Sequence, residues 1–261
     1  MRKQEGPPDA VRRFLDENKP AKSLAGAQSV SEFVSRLDQF RPRIQQFLDG
    51  RRARDQREAP EFNLFELLRL QSDEAMHSRF LANLLNPAGT HGQGAFFLNH
   101  FLRHCHKHVH HFPKLLDRDL PDTAFVFVKP EFHSAFGRPD IVVFSRDAGF
   151  ALIIENKVYA GDQEDQLERY WKLLQSNFNF ARHRKALLYL TRSGRKPKGH
   201  VPGTVRYSCL GYRNRAGIAQ WLRSCAERVP EVLRPILLQY ADMAGRLPAE
   251  AEEENGEDEA G

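Results

Sequence analysis

The chain has 261 residues, 41% hydrophobic and 28% charged, which indicates a globular core rather than a wholly disordered chain. Its longest apolar runs have five residues, far short of the ~20 that cross a bilayer, and the N-terminus shows no apolar secretory segment. Three widely spaced cysteines match neither a disulfide framework nor a zinc pattern and favour a reducing cytoplasm. We therefore expect a cytoplasmic protein that does not bind membranes.

The net charge of +5 hides an asymmetry along the chain. Residues 249–261 carry seven acidic and no basic side chains, so residues 1–248 hold 39 basic and 27 acidic ones, a net charge of +12. The net positive charge of residues 1–248 favours a polyanionic partner, most simply nucleic acid. Solvated arginines on helix surfaces are the alternative. The acidic tail is predicted to be disordered.

The N-terminal part is predicted to be a helical extension, residues 1–60, that ends in a linker. From Ser29 to Leu48 apolar residues recur at helical spacing, and Pro42 marks a kink or a break. Residues 50–60 are predicted to form a charged connector. The helix over 29–49 is a candidate docking surface for a protein partner.

Three helices are predicted next, at 63–70, 72–87 and about 94–112. Ser72 is the expected N-cap of the second, and Asn86-Pro87 its end. The third carries six histidines opposite a coherent apolar stripe. We therefore expect these histidines to lie on a wet face and to bind metals only adventitiously.

From about residue 124 the pattern changes to short β-type runs, in the order three strands, helix, strand, strand, two helices. The strands near 140 and 155 are too close in sequence for a parallel crossover, so the sheet has mixed strand direction. The predicted fold class is α/β, a mixed central sheet flanked by helices, with helical additions at both ends. Residues 61–248 form the predicted domain and 249–261 the tail.

The hairpin over 137–158 carries the candidate chemistry. If its turn centres on Asp147-Ala148, antiparallel partners sum to 295, and Asp140 lies opposite Glu155 on the face that Lys157 shares. Opposed carboxylates repel, so Lys157 and a hard cation, Mg²⁺ or Mn²⁺, are expected to balance them. A salt bridge on a solvated face is the alternative, but the continuous apolar strands argue against it.

These motifs resemble those of a known family. Arg138-Pro139-Asp140, followed after fourteen residues by Glu155-Asn156-Lys157, resembles the pattern of the PD-(D/E)XK nuclease superfamily. Gln166-x-x-x-Tyr170 resembles a motif of its recombination-exonuclease branch, and the segments 74–92 and 189–199 resemble those of a bacterial subgroup. The likeness spans roughly residues 62–240.

The resemblance implies a restriction-endonuclease-like core and assigns roles within it. Asp140 and Glu155 are the implied metal ligands, with the main-chain carbonyl of Asn156. Lys157 is implied to orient or deprotonate the attacking water and to stabilise charge on the phosphate. Glu74 is implied to be the helix-borne acidic residue, although a carboxylate favoured by the helix dipole is the alternative.

Several further residues are candidates for the site. Gln166 and Tyr170 are expected to contact the site, with core packing as the alternative for Tyr170. The basic loop after the fourth strand, with Arg192, Arg195, Lys196 and Lys198, is predicted either to bind phosphates or to be an idle solvated loop. Further candidate site residues are His77 (alternatively a hydrogen-bonded core histidine), Glu131, Gln163 and His91.

The predicted function is a metal-dependent nuclease of a prokaryotic cytoplasm, acting on DNA in genome defence or repair. The resemblance also implies a 5′-phosphate product. Two alternatives remain open: a nucleic-acid-binding module that does not cleave, and a partner-dependent subunit that is silent alone. Sequence specificity, exonuclease against endonuclease action, and DNA against RNA are left open.

Overall fold

The computed structural model describes residues 42–43, 45–57, 59 and 62–248. The chain divides into two compact units between Phe62 and Asn63. The sequence-based expectations for residues 1–41, which include most of the candidate docking surface, and for the acidic tail lie outside the described residues. Among the described residues, no helix is long and apolar enough to span a membrane.

The described part of the first unit is helical at 42–43 and 45–57. The prediction of a connector over 50–60 is therefore wrong for residues 50–57, which are helical. Its arginine, alanine, glutamine and glutamate residues are good helix formers, and Arg51 pairs with Asp55 one turn on, with Nε 3.6 Å from Oδ2. A run of charged residues does not by itself break a helix, because arginine is a good helix former and opposite charges one turn apart attract.

Three helices and a 3₁₀ turn precede the sheet in the second unit. Helix α2 begins after Asp73, whose Oδ1 accepts from the backbone N–H of Met76 at 2.8 Å. Asp73 rather than the expected Ser72 is therefore the N-cap, while Asn86 ends the helix as expected. The elements are α1 (Leu64–Leu67), the 3₁₀ turn (Leu70–Ser72), α2 (Glu74–Leu85) and α3 (Phe96–His108).

A five-stranded sheet follows, with its strands in chain order across the sheet. β1, β2 and β3 pair antiparallel, and β3, β4 and β5 pair parallel, so the predicted mixed sheet is confirmed. Ile141 pairs with Ile154 and Phe144 with Ala151, which confirms the register summing to 295. The strands are β1 (Phe127–Pro130), β2 (Ile141–Ser145), β3 (Phe150–Lys157), β4 (Lys185–Thr191) and β5 (Ser208–Gly211).

Helices cover both faces of this sheet. α4 (Gln166–Asn177) connects β3 to the 3₁₀ turn Arg182–Arg184, and α5 (Ile218–Ala226) and α6 (Arg234–Gly245) close the chain. The larger hydrophobic core lies on one face of the sheet, where alternate residues of β2–β5 pack against α2, α3, α5 and α6. The smaller core lies on the other face, where the intervening strand residues pack against α4. Every residue of β3 is buried, as its continuous apolar pattern indicates.

The histidine-rich helix is anchored by its apolar stripe. Phe101 and Cys105 are buried in the larger core, and the imidazole of His104 hydrogen-bonds the carbonyl of Ala216 at 2.7 Å. Within the described ranges no group of three or more His, Cys, Asp or Glu residues is arranged to hold a metal. The interpretation of the histidines as a surface feature stays a prediction.

Candidate active site

The site lies where β2 begins and β3 ends. Asp140 immediately precedes β2, and the hairpin register continues to place it beside Glu155 near the end of β3. Asp140 Oδ2 accepts from the backbone N–H of Asn156 at 2.7 Å. Because side chains alternate along a strand, Glu155 and Lys157 lie on the α4 side of the sheet and Asn156 on the opposite side.

Lys157 and Glu155 form a buried ion pair. Lys157 Nζ lies 2.9 Å from Glu155 Oε1, and the two side chains are only 6% and 1% exposed. Glu155 Oε2 is buried without a hydrogen-bond partner. One lysine therefore faces two carboxylates, and Glu155 Oε2, which is out of contact with water, is left to a proton shared with Asp140 or to a cation. Such an orphaned buried acceptor is costly unless something else binds it.

The electrostatics of this pair are strongly perturbed. Burial, and then the charge of Asp140, raise the pKa of Glu155 to about 8. Burial likewise raises the pKa of Asp140. Burial acts to lower the pKa of Lys157, but the charges of Glu155 and Asp140 outweigh it and raise that pKa. Two carboxylates that resist ionisation together are arranged to gain from a cation.

A pH-dependent stability follows from Glu155. A carboxyl with a raised pKa in the folded state stabilises the fold fully below its ordinary value of 4.5, and that contribution is lost as the pH rises towards 8. Without divalent cations, we expect the free energy of unfolding to fall between pH 5 and pH 8, by about 4 kcal/mol at most. Denaturant titrations at several pH values in chelator measure it.

Glu155→Gln is the control for this prediction, because it removes the titrating group and keeps the shape. Buried histidines such as His77, whose pKa burial lowers, contribute with the opposite sign below about pH 6.5, equally in both proteins. The difference between the two proteins therefore reports on Glu155 together with Asp140 and Lys157, whose pKa values depend on it. If both lose stability with the same pH slope, Glu155 does not have a raised pKa.

Asn156 ties the site to helices on the other face. Its Nδ2 donates to Ser78 Oγ at 3.1 Å, and its Oδ1 accepts from the Tyr212 hydroxyl at 3.0 Å. Sequence analysis missed both partners, although Ser78 is four residues from Glu74 on α2 and so lies on its face. Nothing in the sequence indicates Tyr212, which approaches from beyond β5.

Glu74 holds the chain where β3 ends. One carboxylate oxygen, Oε1, accepts from three successive backbone N–H groups, those of Val158, Tyr159 and Ala160, at 2.7, 2.8 and 2.7 Å. The first turn of α2 thereby fixes the segment that follows Lys157. The structure brings Glu74 to the site, as expected, and shows it positioning the backbone there.

We expect Glu74→Ala to lower the free energy of unfolding by about 2–4 kcal/mol, because three backbone donors lose a charged acceptor. Glu66→Ala is the matched control: Glu66 makes a partly exposed ion pair with Arg246 at 3.1 Å, and such pairs contribute about 0–1 kcal/mol. Chemical denaturation measures both. Equal small losses would show that Glu74 does not anchor the strand end.

Gln166 and Tyr170 are placed beside the site from the α4 side. Gln166 Nε2 donates to the Tyr170 hydroxyl at 3.2 Å, and both side chains are buried. Burial, and then the charge of Glu155, raise the pKa of Tyr170 to about 12. Gly137 lies against the Tyr170 ring, where a Cβ would make an ordinary contact at 3.4 Å, and its φ of +112° is the reason that glycine fits there.

Two candidate histidines are engaged in bonds of their own. His77 Nε2 lies 3.0 Å from the carbonyl of Gln71, which can only accept, so Nδ1 accepts from the Tyr240 hydroxyl at 2.6 Å. His91 bonds within its own loop, to the carbonyl of Asn86 at 3.0 Å and to the backbone N–H of Gln93 at 2.9 Å. Neither imidazole makes a hydrogen bond to Asp140 or Glu155.

Glu131 is the cross-strand neighbour of Asp140, and its backbone N–H donates to the Asp140 carbonyl at 2.8 Å, but its side chain turns to an arginine. Glu131 follows β1 with a φ of +50° and pairs with Arg138 at 3.5 Å near the surface. Gln163 is exposed and precedes α4, which begins at Gln166. Gln163 therefore lies before the helix that carries Gln166 and Tyr170.

The predicted basic loop is partly folded inward. Arg192 is 3% exposed and stacks over the Tyr159 ring, 4.6 Å from its centroid. Arg195 pairs with Asp162 at 2.8 Å, whereas the side chains of Lys196 and Lys198 are exposed.

Asp162 is a further residue near the site that sequence analysis missed. Burial acts to raise the pKa of Asp162, but hydrogen bonds from Arg195, the Lys198 backbone and Tyr189 lower it to about 2. Tyr189 pairs with Glu155 across β3 and β4. Asp162 therefore neutralises Arg195 and links the basic loop to the site, and its isolated position before α4 gives no sequence signal of this.

The fold and the site together define a class: α/β proteins with two carboxylates and a lysine clustered at the end of a mixed sheet. The family model of the PD-(D/E)XK nuclease superfamily matches residues 62–242, more than half of the chain. The chain belongs to that superfamily, whose members are generally nucleases that hydrolyse phosphodiester bonds. A search of curated proteins and a search of solved structures returned no match.

Proposed function

We propose that this protein is a metal-dependent nuclease that hydrolyses phosphodiester bonds of DNA, with Asp140, Glu155 and Lys157 as its catalytic centre. The observation that carries the proposal is Glu155 Oε2, a buried carboxylate oxygen without a hydrogen-bond partner, next to Asp140 and an internal lysine. An ion pair with a purely structural role needs one carboxylate beside Lys157, whereas a ligand set for a divalent cation uses both Asp140 and Glu155.

The chemistry of the donors supports a hard divalent cation. Asp140, Glu155 and the main-chain carbonyl of Asn156 offer oxygen only, and Mg²⁺ and Mn²⁺ prefer oxygen ligands. Two carboxylates and a carbonyl fit a Mg²⁺ site, since Mg²⁺ keeps several waters and takes further ligands from the substrate phosphates. When bound, the cation acidifies a water molecule and neutralises charge on the phosphate.

The protein's own side chains position the substrate and supply a hydrogen-bond donor to the phosphate. Lys157 Nζ is fixed by Glu155 and is available to hydrogen-bond a phosphate oxygen as negative charge develops there. Glu74 holds the backbone just after Lys157, and Asn156 is clamped from the opposite face. Gln166 and Tyr170 form the wall of the site on the α4 side, where they would contact the substrate.

The proposed substrate is DNA, bound by a surface with excess positive charge. Lys196 and Lys198 are the exposed cations of the basic loop, and we assign them phosphate contacts, whereas Arg192 and Arg195 brace the loop internally. A cytoplasmic role in genome defence or repair is consistent with such an activity.

The test is an assay of purified protein with plasmid, linear duplex and single-stranded DNA, and with RNA, in Mg²⁺ or Mn²⁺ and in chelator. The proposal expects cleavage of DNA that chelator abolishes. Binding to DNA without cleavage in any divalent cation would favour a non-cleaving module or a partner-dependent subunit. Cleavage that persists in chelator would contradict the metal centre.

A further inference from the structure

A cationic cleft lies at the end of β4 opposite to the candidate active site. Its polar rim and floor contain only basic or neutral groups, and no carboxylate is among the described residues that line it. Trp171 and Val205 form its apolar wall. We call it the β4 cleft. Its basic side chains are His111, Arg182, His183, Lys185 and Arg206.

Lys185 is the feature that sets this cleft apart from an ordinary basic surface. Its side chain is 7% exposed, yet its Nζ has only neutral acceptors, the carbonyl of Phe178 at 2.9 Å and Gln175 Oε1 at 3.5 Å. No carboxylate among the described residues offsets its charge, and burial alone lowers its pKa. An ammonium whose hydrogen-bond acceptors are all neutral keeps its full charge, so an anion bound in the cleft would be attracted to it.

The arginine next to Lys185 does not face the cleft, so the cleft does not simply collect every basic residue of this segment. Arg184, between His183 and Lys185, turns away from the cleft to the carbonyl of Leu115 and to Asp117. Arg182 and Arg206 instead stand exposed at the rim. The structure thus neutralises one arginine of this segment and leaves the rim arginines facing the cleft opening.

One wall of the cleft lies on the same face of the sheet as the active site, while Ala186, from the opposite core, also lines it. Trp171 and Leu187, which line the cleft, belong to the α4-side core that also contains Tyr170. In the β3–β4 register, Lys185 is level with Ala151, and Thr191 with Lys157. The six residue steps from Lys185 to Thr191 span about 20 Å at ~3.3 Å per step, which corresponds to about six base pairs of duplex.

We propose that the β4 cleft is a second phosphate-binding site, which holds the nucleic-acid backbone about six base pairs from the bond that is cleaved. This inference rests on the proposed function, because the active site sets the position of the cleaved bond. The ligand chemistry is a phosphate group. Its source is the polynucleotide backbone, and free inorganic phosphate is the alternative that the experiment separates.

The test is the salt dependence of affinity for a 20-base-pair duplex, measured by fluorescence anisotropy in chelator so that no cleavage occurs. The variant Arg182→Gln/Arg206→Gln removes the two rim arginines. Each lost phosphate contact should reduce the slope of log affinity against log salt by about 0.9. The control Lys107→Gln/Arg215→Gln removes the same charge beside α3, on the other face of the sheet.

The proposal expects a shallower slope in the rim variant and an unchanged one in the control. Equal changes in both would overturn it, since they would reflect net charge alone. If the wild type binds and cleaves DNA but the slope is unchanged in the rim variant, phosphate binding by the β4 cleft is contradicted and the proposed function is not. A wild type that neither binds nor cleaves any nucleic acid contradicts both.

Calorimetric titration with inorganic phosphate distinguishes the two sources. Saturable phosphate binding that the rim variant loses, with no change in the DNA slope, would mean that the cleft takes a small anion, and would overturn the backbone assignment. Competition between phosphate and duplex that disappears in the rim variant supports the assignment.

Discussion

Asp140→Asn and Glu155→Gln should each lower the rate of DNA cleavage by about 10³-fold or more, because each removes a negative charge that the cation needs. The fold should survive both changes. The amide oxygen of Asp140→Asn can still accept from the Asn156 N–H, and that of Glu155→Gln from Lys157 Nζ. Single-turnover cleavage of linear duplex in Mg²⁺ measures the effect.

Asp147→Asn is the matched control, since it makes the same change in the exposed turn at the other end of the β2–β3 hairpin. It should cleave at the wild-type rate. Affinity for DNA in chelator should stay within a few-fold of wild type in all three variants. Full activity in Asp140→Asn would remove this site from consideration.

The second large effect is expected at Lys157. Its Nζ is held 2.9 Å from Glu155 in a pocket that leaves 6% of the side chain exposed, so a forked guanidinium cannot take the same position. We expect Lys157→Met and Lys157→Arg each to lower the cleavage rate by about 10²–10⁴. Cleavage rates at saturating Mg²⁺ measure this, with thermal unfolding to confirm the fold.

The arginine variant separates two roles of the lysine. If Lys157 only balances the charge of the two carboxylates, Lys157→Arg should cleave at close to the wild-type rate while Lys157→Met does not. If the ammonium acts on the phosphate or the water from one fixed position, both variants should be impaired. A Lys157→Arg protein with wild-type activity would therefore contradict a catalytic role.

The strands were well predicted because their signals are local. The apolar run of β3 and the short connection to β2 dictate a buried antiparallel hairpin, and a four-residue connection centred on Asp147-Ala148 then fixes the register that joins Asp140 to Glu155. Helix boundaries were predicted less well. Asp73 replaced Ser72 as the N-cap because both residues have suitable side chains and only the backbone geometry selects between them.

The parts of the site that could not be predicted depend on contacts distant in sequence. Glu74 lies 84 residues from its first backbone donor, Val158, and His77 lies 163 residues from Tyr240. No periodicity encodes such pairs. The loop arginines illustrate the same limit: composition suggested four equivalent cations, but Asp162 neutralises Arg195, and Arg192 is buried and stacks over the Tyr159 ring.

The most direct test of the metal centre is a titration of the protein with Mn²⁺, followed by calorimetry or by the paramagnetic signal of the free ion. We expect saturable binding by the wild type in the absence of DNA, with release of protons as Glu155 ionises. Glu155→Gln and Asp140→Asn should lose this binding, and Asp147→Asn should keep it. Undiminished Mn²⁺ affinity in both Glu155→Gln and Asp140→Asn would contradict the assignment of these carboxylates as the metal ligands.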